Sequence, residues 1–546
     1  MIDYLRLSEW GITSLIALSP LVGMLLALLL PERDGGRAIK WGVFLWSLVP
    51  LGLVLYLWWG GLYDPNATAP SNPNVAVIQL VDKVDWIRAP IRADYFVGID
   101  GLNLPLVILT AVLGPIAVLA SFGITTNIKT YFALLMLVQT AMLGYFTALN
   151  FLLFFLFWEF SLVPMFFIIN NWGGPNRSYA AFKFFVYTMA GSLGMLLIFQ
   201  FLYLATGTFD LVRLARLGAG IETINGLDLK GLIFNYVERL GITGWLGTNP
   251  DFYAGIVFWA IFIAFAVKLA VWPFHTWLPD AYSQAPTAGS MLLAGVMSKM
   301  GAYGMLRLAL PLLPDAAQEA APAIAILGLA GVLLGAYAGL AQWDLKRLIG
   351  YTSINHMGLV AIGIAAAAAA GSTPLGVDAR AGAINGVQMM MIGHGLSTAA
   401  LFYFAGALYA RTGTYDLRHF GGLRMPMPLF AGAMGVAMFA NLGLPGLADF
   451  VGEFFIFLGA WATLPLIAVI AVIGLIASAL LLLLMFQRIF YGPVNTRWLG
   501  LSDLSRFELF TALPLLLLLL VFGVYPALLL DLANQTSLAL VSIFAR

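Results

Sequence analysis

Uninterrupted apolar segments of about 20 residues recur along the whole chain, and a helix of that length can cross a lipid bilayer. Hydrophobicity is continuous within each segment rather than alternating, which favours membrane helices over membrane strands. We therefore predict an all-α polytopic membrane protein. The fourteen predicted spans are 10–30, 41–60, 102–123, 130–149, 150–171, 182–207, 253–272, 288–309, 322–342, 348–371, 383–410, 427–460, 464–487 and 508–530.

The overall composition excludes most other classes of protein. Only 10% of the 546 residues are charged and 61% are hydrophobic, whereas a soluble globular protein has about 25% charged residues. The net charge of +1 provides no long-range field for nucleic acid. The sequence contains no cysteine, so disulfides, thiolate metal sites and iron–sulfur clusters are excluded on this chain. The expected surroundings are the lipid bilayer, not nucleic acid.

Basic residues in short loops predict the orientation of the chain, because Lys and Arg accumulate on the inner side of a membrane. If the N-terminus lies outside, most of these residues fall on the inside, including Arg33, Lys129 and Arg506. The short outside loops hold only Arg380, with Arg307 at an outer helix end. We therefore predict that both termini lie outside, on the periplasmic or equivalent side.

Six ionisable side chains lie within predicted spans: Glu159, Lys268, Lys299, His356, His394 and Glu453. Such a group costs several kcal/mol at membrane depth unless it is paired or hydrated, so it suggests an ion or proton path. Carboxylates, lysines and imidazoles can each bind and release a proton when burial and a charged neighbour change their proton affinity. Lys346 precedes His356 by about three helical turns, or roughly 15 Å.

Each of these residues also has a structural interpretation. A buried Glu159–Lys268 pair could simply join two helices, and a lone histidine could be a hydrogen-bonded packing residue. Six such residues on separate spans are harder to explain in this way when the chain has so few charges. The set as a whole favours a proton or cation path.

Two predicted spans contain segments that break a helix. Segment 272–287 contains Pro273 and His275, and segment 441–446 contains Pro445. Irregular backbone is tolerated at membrane depth only where protein or water solvates it, and paired broken helices mark the ion site of many transporters. The spacing of the breaks fits two five-helix repeats, although ordinary proline kinks would look the same. We find no clear internal sequence identity.

Motifs for redox chemistry and nucleotide binding are missing. There is no glycine-rich dinucleotide loop, no P-loop and no H-E-x-x-H, and the four histidines are too scattered for two bis-histidine haems. We predict no catalytic redox centre, cofactor site or metal site on this chain. An ion gradient or a partner must therefore drive it.

Several segments resemble the antiporter-like membrane subunits of respiratory complex I, the NADH–quinone oxidoreductase, and are most similar to its subunit M (chain 4) branch. The resemblance covers roughly 100–490. The segments that carry it are FFLFWEFSLVPMFFIINNWGG, AAFKFFVYTMAGS, KLAVWPFHTWLPDAYSQAPTAGSMLLAGVMSKMGAYGMLR, DLKRLIGYTSINHMG and IGHGLSTAALF.

The resemblance implies fourteen helices with two inverted five-helix repeats, each with one broken helix. The implied divisions are an N-terminal three-helix segment over residues 1–123 with an outside loop 61–101, repeats 130–309 and 322–487, and a C-terminal helix and tail 508–546. It implies that Glu159 and Lys268 form an input pair, that Lys299 is central, that His356 and His394 continue a hydrated axis, and that Glu453 is the terminal exchange residue. His275, Lys346, Pro273 and Pro445 have supporting places.

The resemblance also implies the partners. NADH, flavin, iron–sulfur clusters and quinone would be bound by other subunits, with L- and N-type antiporter-like subunits as neighbours in a bacterial inner membrane. The glutamate in FVGEF favours the M branch, because sister subunits usually have lysine there. One departure is Tyr282, where the family commonly has histidine, and it argues against a proton role at that position. The alternatives are a Mrp-type cation–proton antiporter subunit, a membrane subunit of a hydrogenase or ferredoxin-linked complex, and a structural scaffold.

Overall fold

A computed structural model describes residues 4–7, 11–69, 72–370 and 376–545, which form a bundle of long apolar helices. Within these residues, twelve helices are long and apolar enough to cross a membrane. Each of the fourteen predicted spans coincides with one helix or with consecutive helices. The predicted span limits at residues 10 and 371 lie outside the described residues.

The N-terminal helices are α1 (Ile12–Leu29), α2 (Arg37–Trp59) and α3 (Leu104–Ala120). The next group is α4 (Ile128–Thr147), α5 (Phe151–Phe160), α6 (Leu162–Trp172), α7 (Arg177–Thr206), α8 (Leu211–Gly218), α9 (Leu229–Arg239), α10 (Thr243–Leu246), α11 (Pro250–Leu269), α12 (Trp277–Gln284), α13 (Thr287–Leu292), α14 (Ser298–Gly304) and α15 (Leu310–Leu312). The last group is α16 (Pro314–Leu340), α17 (Leu345–Ala368), α18 (Gly376–Thr412), α19 (Pro428–Asn441), α20 (Ala448–Thr463), α21 (Pro465–Phe490), α22 (Arg506–Val524) and α23 (Ala527–Val541).

A small sheet covers one end of the bundle, which we call the strand face. Its strands are β1 (Tyr4–Leu7), β2 (Thr68–Ala69), β3 (Asn72–Ile87) and β4 (Ala93–Ile99). Strand β3 pairs in parallel with β1 and antiparallel with β2 and β4. The segment 61–101, expected as a plain loop, therefore contains regular strands. Valine, isoleucine and aromatic residues recur in both long strands, as is typical of sheets.

A cavity of about 880 Å³ opens at the opposite end of the bundle, among Asn176, Gln284, Lys346, Asp416 and Glu508. We call this cavity the vestibule and this end the vestibule face. Arg33 lies in the loop between α1 and α2, Lys129 in the first turn of α4 and Arg506 at the first residue of α22. All three lie on this side, because each stands where a helix coming from the strand face is followed by one that returns to it.

Two segments, TGTFDL at 206–211 and TGTYDL at 412–417, repeat in both sequence and geometry. In each, the threonine that ends the helix donates its hydroxyl to the carbonyl four residues earlier, at 2.7 Å for Thr206 and 2.9 Å for Thr412. The glycine that follows has a positive φ, 74° at Gly207 and 70° at Gly413. The expectation of no internal identity was therefore wrong, since these short helix ends match where the hydrophobic spans do not.

The same two segments show that the repeats are inverted. In the first, Phe151 N–H donates to the Phe209 carbonyl at 2.8 Å, and in the second, Leu345 N–H donates to the Tyr415 carbonyl at 2.9 Å. The partner bonds from Leu211 to Leu149 and from Leu417 to Trp343 are also equivalent, at 2.9 and 2.8 Å. The first segment lies on the strand face and the second on the vestibule face, so corresponding helices run in opposite directions.

Both predicted helix breaks are present. Helix α11 ends at Leu269, Ala270 has a φ of 62°, and regular helix resumes only at Trp277. The irregular stretch is thus shorter than the predicted 272–287, because α12 recovers a helix within it. The second break separates α19, which ends at Asn441, from α20, which begins at Ala448. Pro273 and Pro445 are both exposed on the outside of the bundle, so they end helices without lining its interior.

Helix α23 was not predicted, since a tail was expected after residue 530. It lies near Trp58 and Trp59 at its start, and Leu540 lies near Leu211 and Pro311 at its end. All these partners are at the strand-face ends of their helices. Helix α23 therefore runs along the strand face instead of crossing the bundle.

Candidate proton path

Lys268 and Glu159 lie close together but form no ion pair. Lys268 is in the last turn of α11 and is 1% exposed. Its Nζ donates to Ser161 Oγ at 3.0 Å and lies 4.7 Å from the centre of the Trp158 ring. Glu159 on α5 is half-buried and close enough to interact with Lys268 electrostatically, yet its Oε1 has no hydrogen-bond partner among the residues that the structure describes. Such a loose arrangement differs from a locked helix-to-helix staple.

Lys299 lies between two π-helical segments, Leu293–Met297 and Met305–Ala309. A π-helical turn shifts the backbone hydrogen bonds by one residue, and such turns are frequent at functional sites. The fully buried Lys299 Nζ donates to the Ala294 carbonyl at 2.5 Å, five residues earlier. It also lies 2.7 Å from His394 Nδ1. The π-helical distortion therefore holds the lysine against the histidine of α18.

From Lys299, a series of contacts leads to His394, then to His356 and then to Glu453. The centres of the two imidazole rings are 5.1 Å apart, and His356 Nδ1 is 3.8 Å from Glu453 Oε1. We call these four residues, Lys299, His394, His356 and Glu453, the central row. The predicted residues of α14, α17, α18 and α20 thus lie together at the middle of the bundle.

The central row contains buried polar atoms that have no protein partner. They are both ring nitrogens of His356, Nε2 of His394 and Oε1 of Glu453, for which the described residues offer no hydrogen bond. Buried polar atoms are nearly always satisfied by protein or by ordered water. His394 is hydrogen-bonded to Lys299 through Nδ1, while the remaining nitrogens of the two histidines are positions that ordered water can satisfy.

Asp449 was missed in the sequence, although it is fully buried beside the central row. Its Oδ2 accepts a hydrogen bond from Ser397 Oγ at 2.8 Å, and Ser397 accepts one from Asn441 Nδ2 at 3.0 Å. The carboxylate also interacts electrostatically with Lys299. An acidic residue in the first turn after a helix break within a span is the signal that could have found it.

Lys346 lies apart from the central row, at the inner wall of the vestibule. It is 1% exposed, and its Nζ donates to the Ala285 carbonyl at 2.5 Å. Asp344 lines the same cavity and caps α17 by accepting the Arg347 N–H at 2.8 Å. Burial raises the pKa of the Asp344 carboxyl above the usual range for aspartate. The vestibule therefore brings solvent to two groups that can bind protons.

Two other singled-out residues lie off the central row. His275 is half-buried in the first break, near Lys183, and the described contacts do not join it to the central row. Tyr282 is fully buried, and its hydroxyl donates to the Leu293 carbonyl at 3.1 Å. Its hydroxyl thus contacts the same π-helical segment that positions Lys299.

Inverted helical repeats with broken helices around a buried series of lysine, histidine and carboxylate define an antiporter-like membrane subunit. Residues 148–480 match the family described as NADH:quinone oxidoreductase/Mrp antiporter, TM. The chain is 38% identical over 450 residues to NADH-quinone oxidoreductase subunit M of Rickettsia prowazekii (strain Madrid E), covering 82% of this chain and 83% of that one. This chain belongs to the NADH:quinone oxidoreductase/Mrp antiporter family of membrane subunits.

A second relative and a solved structure agree. F(420)H(2) dehydrogenase subunit M of Methanosarcina mazei is 36% identical over 540 residues, covering 98% of this chain and 99% of the relative. A chain of respiratory complex I from Thermus thermophilus superposes with a TM-score of 0.77 at 27% identity, covering 97% of this chain and 99% of that one.

Proposed function

We propose that this chain pumps protons as the M-type subunit of an NADH–quinone oxidoreductase, through the central row. The observation that carries the proposal is the contact series from Lys299 to Glu453, with distances of 2.7 and 3.8 Å at its two ends. Ammonium and imidazole both donate, so the short Lys299–His394 contact is stable only when one of the two facing nitrogens lacks a proton. A proton shared at this contact can pass to His356 and then to Glu453 through intervening water.

Glu159 and Lys268 are the proposed input. Charge arriving from a neighbouring subunit alters this pair, and the change at Lys268 alters the proton affinity of Lys299. A switch is supported because the two charges are held by hydroxyl groups and not by each other, Lys268 by Ser161 and Glu159 by Ser192. The proposed repeats are 130–309 and 322–487, with Lys268 and Glu453 each beside the break of its own repeat.

Proton uptake is proposed to occur from the vestibule, by way of Asp344 and Lys346. The vestibule face would then be the inner side of a bacterial plasma membrane and the strand face the outer side, as the loop charges predict. Both chain termini would lie outside.

The electron chemistry is proposed to occur on other subunits, which would bind NADH, flavin, iron–sulfur clusters and quinone. The names of the two relatives carry different electron donors, NADH and F(420)H(2). That difference supports a subunit whose own residues do not depend on the donor. The proposed membrane neighbours are the L- and N-type antiporter-like subunits.

The test is the number of protons moved per electron by the intact complex in proteoliposomes. Glu453→Gln keeps the shape of the side chain but removes its titration, so we expect quinone reduction to continue while this chain's share of pumping falls. Glu238→Gln, at an exposed position of α9, is the matched control and should pump normally. Normal pumping by Glu453→Gln would contradict the proposal, and dependence on sodium would point to the Mrp-type alternative.

A further inference from the structure

We propose that the path has a second outlet, on the strand face, which ends at the buried ion pair of Arg307 and Asp100 beneath α23. This inference rests on the proposed proton pumping by the central row. It adds a branch that leaves the row at Lys299 and does not pass through Glu453.

The branch follows one face of a single helix. Lys299 and Tyr303 are four residues apart in α14, about one turn or roughly 6 Å along the axis. Arg307, in the π-helical segment that follows, reaches back to the Tyr303 hydroxyl. All three are buried, with exposures of 0, 0 and 6%. A polar line of this length inside an apolar bundle has no packing advantage, because each polar group must find a partner.

Two tyrosines, Tyr145 and Tyr303, lie between the buried lysines and the Arg307–Asp100 ion pair. The Tyr145 hydroxyl donates to the carbonyl of Met300, next to Lys299, at 2.7 Å. The centre of the Tyr145 ring lies 5.5 Å from that of Trp158 and 5.7 Å from that of Tyr303. The Lys268 ammonium lies over the Trp158 ring. The Tyr303 hydroxyl donates to the carbonyl of Phe146 at 2.9 Å and accepts the Nε–H of Arg307, so it lies between Tyr145 and the ion pair.

The ion pair at the end of the branch is incompletely satisfied. Arg307 donates from Nη2 to Asp100 Oδ1 at 2.5 Å and from Nε to the Tyr303 hydroxyl at 3.0 Å. Asp100 Oδ1 also accepts the N–H groups of Leu102 and Asn103. Asp100 Oδ2 is buried and has no partner among the described residues. The free carboxylate oxygen is the acceptor that a proton from Tyr303 would reach.

A small cavity beside the ion pair provides the space for water. It measures about 40 Å³, and its lining is apolar except for Arg307 and Thr536, which are the polar groups that would hold a water molecule there. Helix α23 closes it from the strand face, since Thr536 Oγ1 accepts the Gly101 N–H at 3.2 Å and Leu540 packs over the opening. In this proposal a proton leaving Lys299 reaches the Tyr303 hydroxyl through water, and the hydroxyl turns from the Phe146 carbonyl to release its own proton to Asp100 Oδ2, from where the proton leaves past α23.

Tyr303→Phe removes the hydroxyl, and with it the hydrogen bonds to the Phe146 carbonyl and from Arg307 Nε, but it keeps the ring. In proteoliposomes containing the whole complex, we expect it to lower the protons moved per electron while quinone reduction continues. Tyr253→Phe is the matched control, because the Tyr253 hydroxyl also donates to a backbone carbonyl, that of Gly247 at 2.7 Å, away from the branch. Tyr253→Phe should pump normally.

Two further variants separate this inference from the proposed function. Asp100→Asn is a second lesion in the branch and should also reduce pumping; if it fails to assemble, Tyr303→Phe alone decides. Combining Tyr303→Phe with Glu453→Gln should remove more pumping than either change alone. If the complex with Tyr303→Phe pumps like the complex with Tyr253→Phe, while the complex with Glu453→Gln loses this chain's share of pumping, the second outlet is wrong. The proposed proton path through the central row is then retained. If Glu453→Gln pumps normally, the proposed function itself fails.

Discussion

At the scale of single residues, proton affinity in this chain is controlled by local surroundings. Asp344 and Asp416 face one another across an isolated backbone bridge on the vestibule, and each caps a helix. Hydrogen bonds from Arg418 lower the pKa of the half-buried Asp416 to about 2, whereas burial raises the pKa of Asp344. Asp344 therefore keeps its proton to a higher pH than Asp416 does.

We expect Asp344→Asn to slow pumping and Asp416→Asn to leave it unchanged. Asparagine caps a helix about as well as aspartate, so neither change should unfold α17 or the short turn after Asp416. The raised pKa means that Asp344 loses its proton at a higher pH than a free aspartate does, and that its protonated form disappears as the pH rises. Initial proton uptake by the two variants in proteoliposomes is the measurement. Equal rates in the two variants would remove Asp344 from the uptake route.

Single functional residues could be predicted where the neighbouring sequence alone sets them apart. The six predicted path residues stand out in the sequence as lone charges or histidines in apolar spans, and the central row contains four of them. Asp449 was missed because an acidic residue beside a proline break looks like a loop residue until the helices pack. The 2.7 Å contact between Lys299 and His394 joins positions 95 residues apart, and no local pattern predicts such a contact.

At the scale of elements, the backbone of the second break leaves room for the Glu453 carboxylate. Gly443 has a φ of 82°, and a Cβ added there would collide with the Glu453 carboxylate. Gly446, three residues later, has a φ of 93°, but a Cβ there would meet nothing within 4 Å. The two glycines share the backbone requirement and differ only in the neighbouring carboxylate.

Gly443→Ala should therefore impair pumping more than Gly446→Ala. Both substitutions place a side chain on a left-handed backbone at a cost of about 1–2 kcal/mol, so the two variants should lose similar thermal stability from that source. Only Gly443→Ala also displaces Glu453 from His356. Protons per electron and thermal stability should be measured for both variants. Equal pumping by the two would show that the position of Glu453 does not matter.

The elements that sequence could predict were those with local signals. Apolar length and prolines predicted the spans and both breaks, because these are properties of consecutive residues. The strands in 61–101 and helix α23 were missed, because each is stabilised by packing on the strand face. Helix α23 is also apolar enough to resemble a span, and only its contacts show that it runs along the face.

At the scale of the whole molecule, the vestibule, the central row and the strand face lie in series through two inverted repeats. Inversion places corresponding turns, TGTFDL and TGTYDL, at opposite ends of the bundle. The second break then lies against Glu453 of the central row, and the first break directly follows Lys268. The arrangement predicts that conduction depends on Lys299 changing its protonation state.

The most direct measurement is proton pumping per electron by the Lys299→Arg complex in proteoliposomes. Arginine keeps the positive charge but does not release its proton in proteins, so the account predicts continued quinone reduction with loss of this chain's share of pumping. The matched control is Lys230→Arg, at a lysine that pairs with Asp251 and Asp315 near the strand face, and it should pump normally. A Lys299→Arg complex that pumps as many protons per electron as the control would contradict the account.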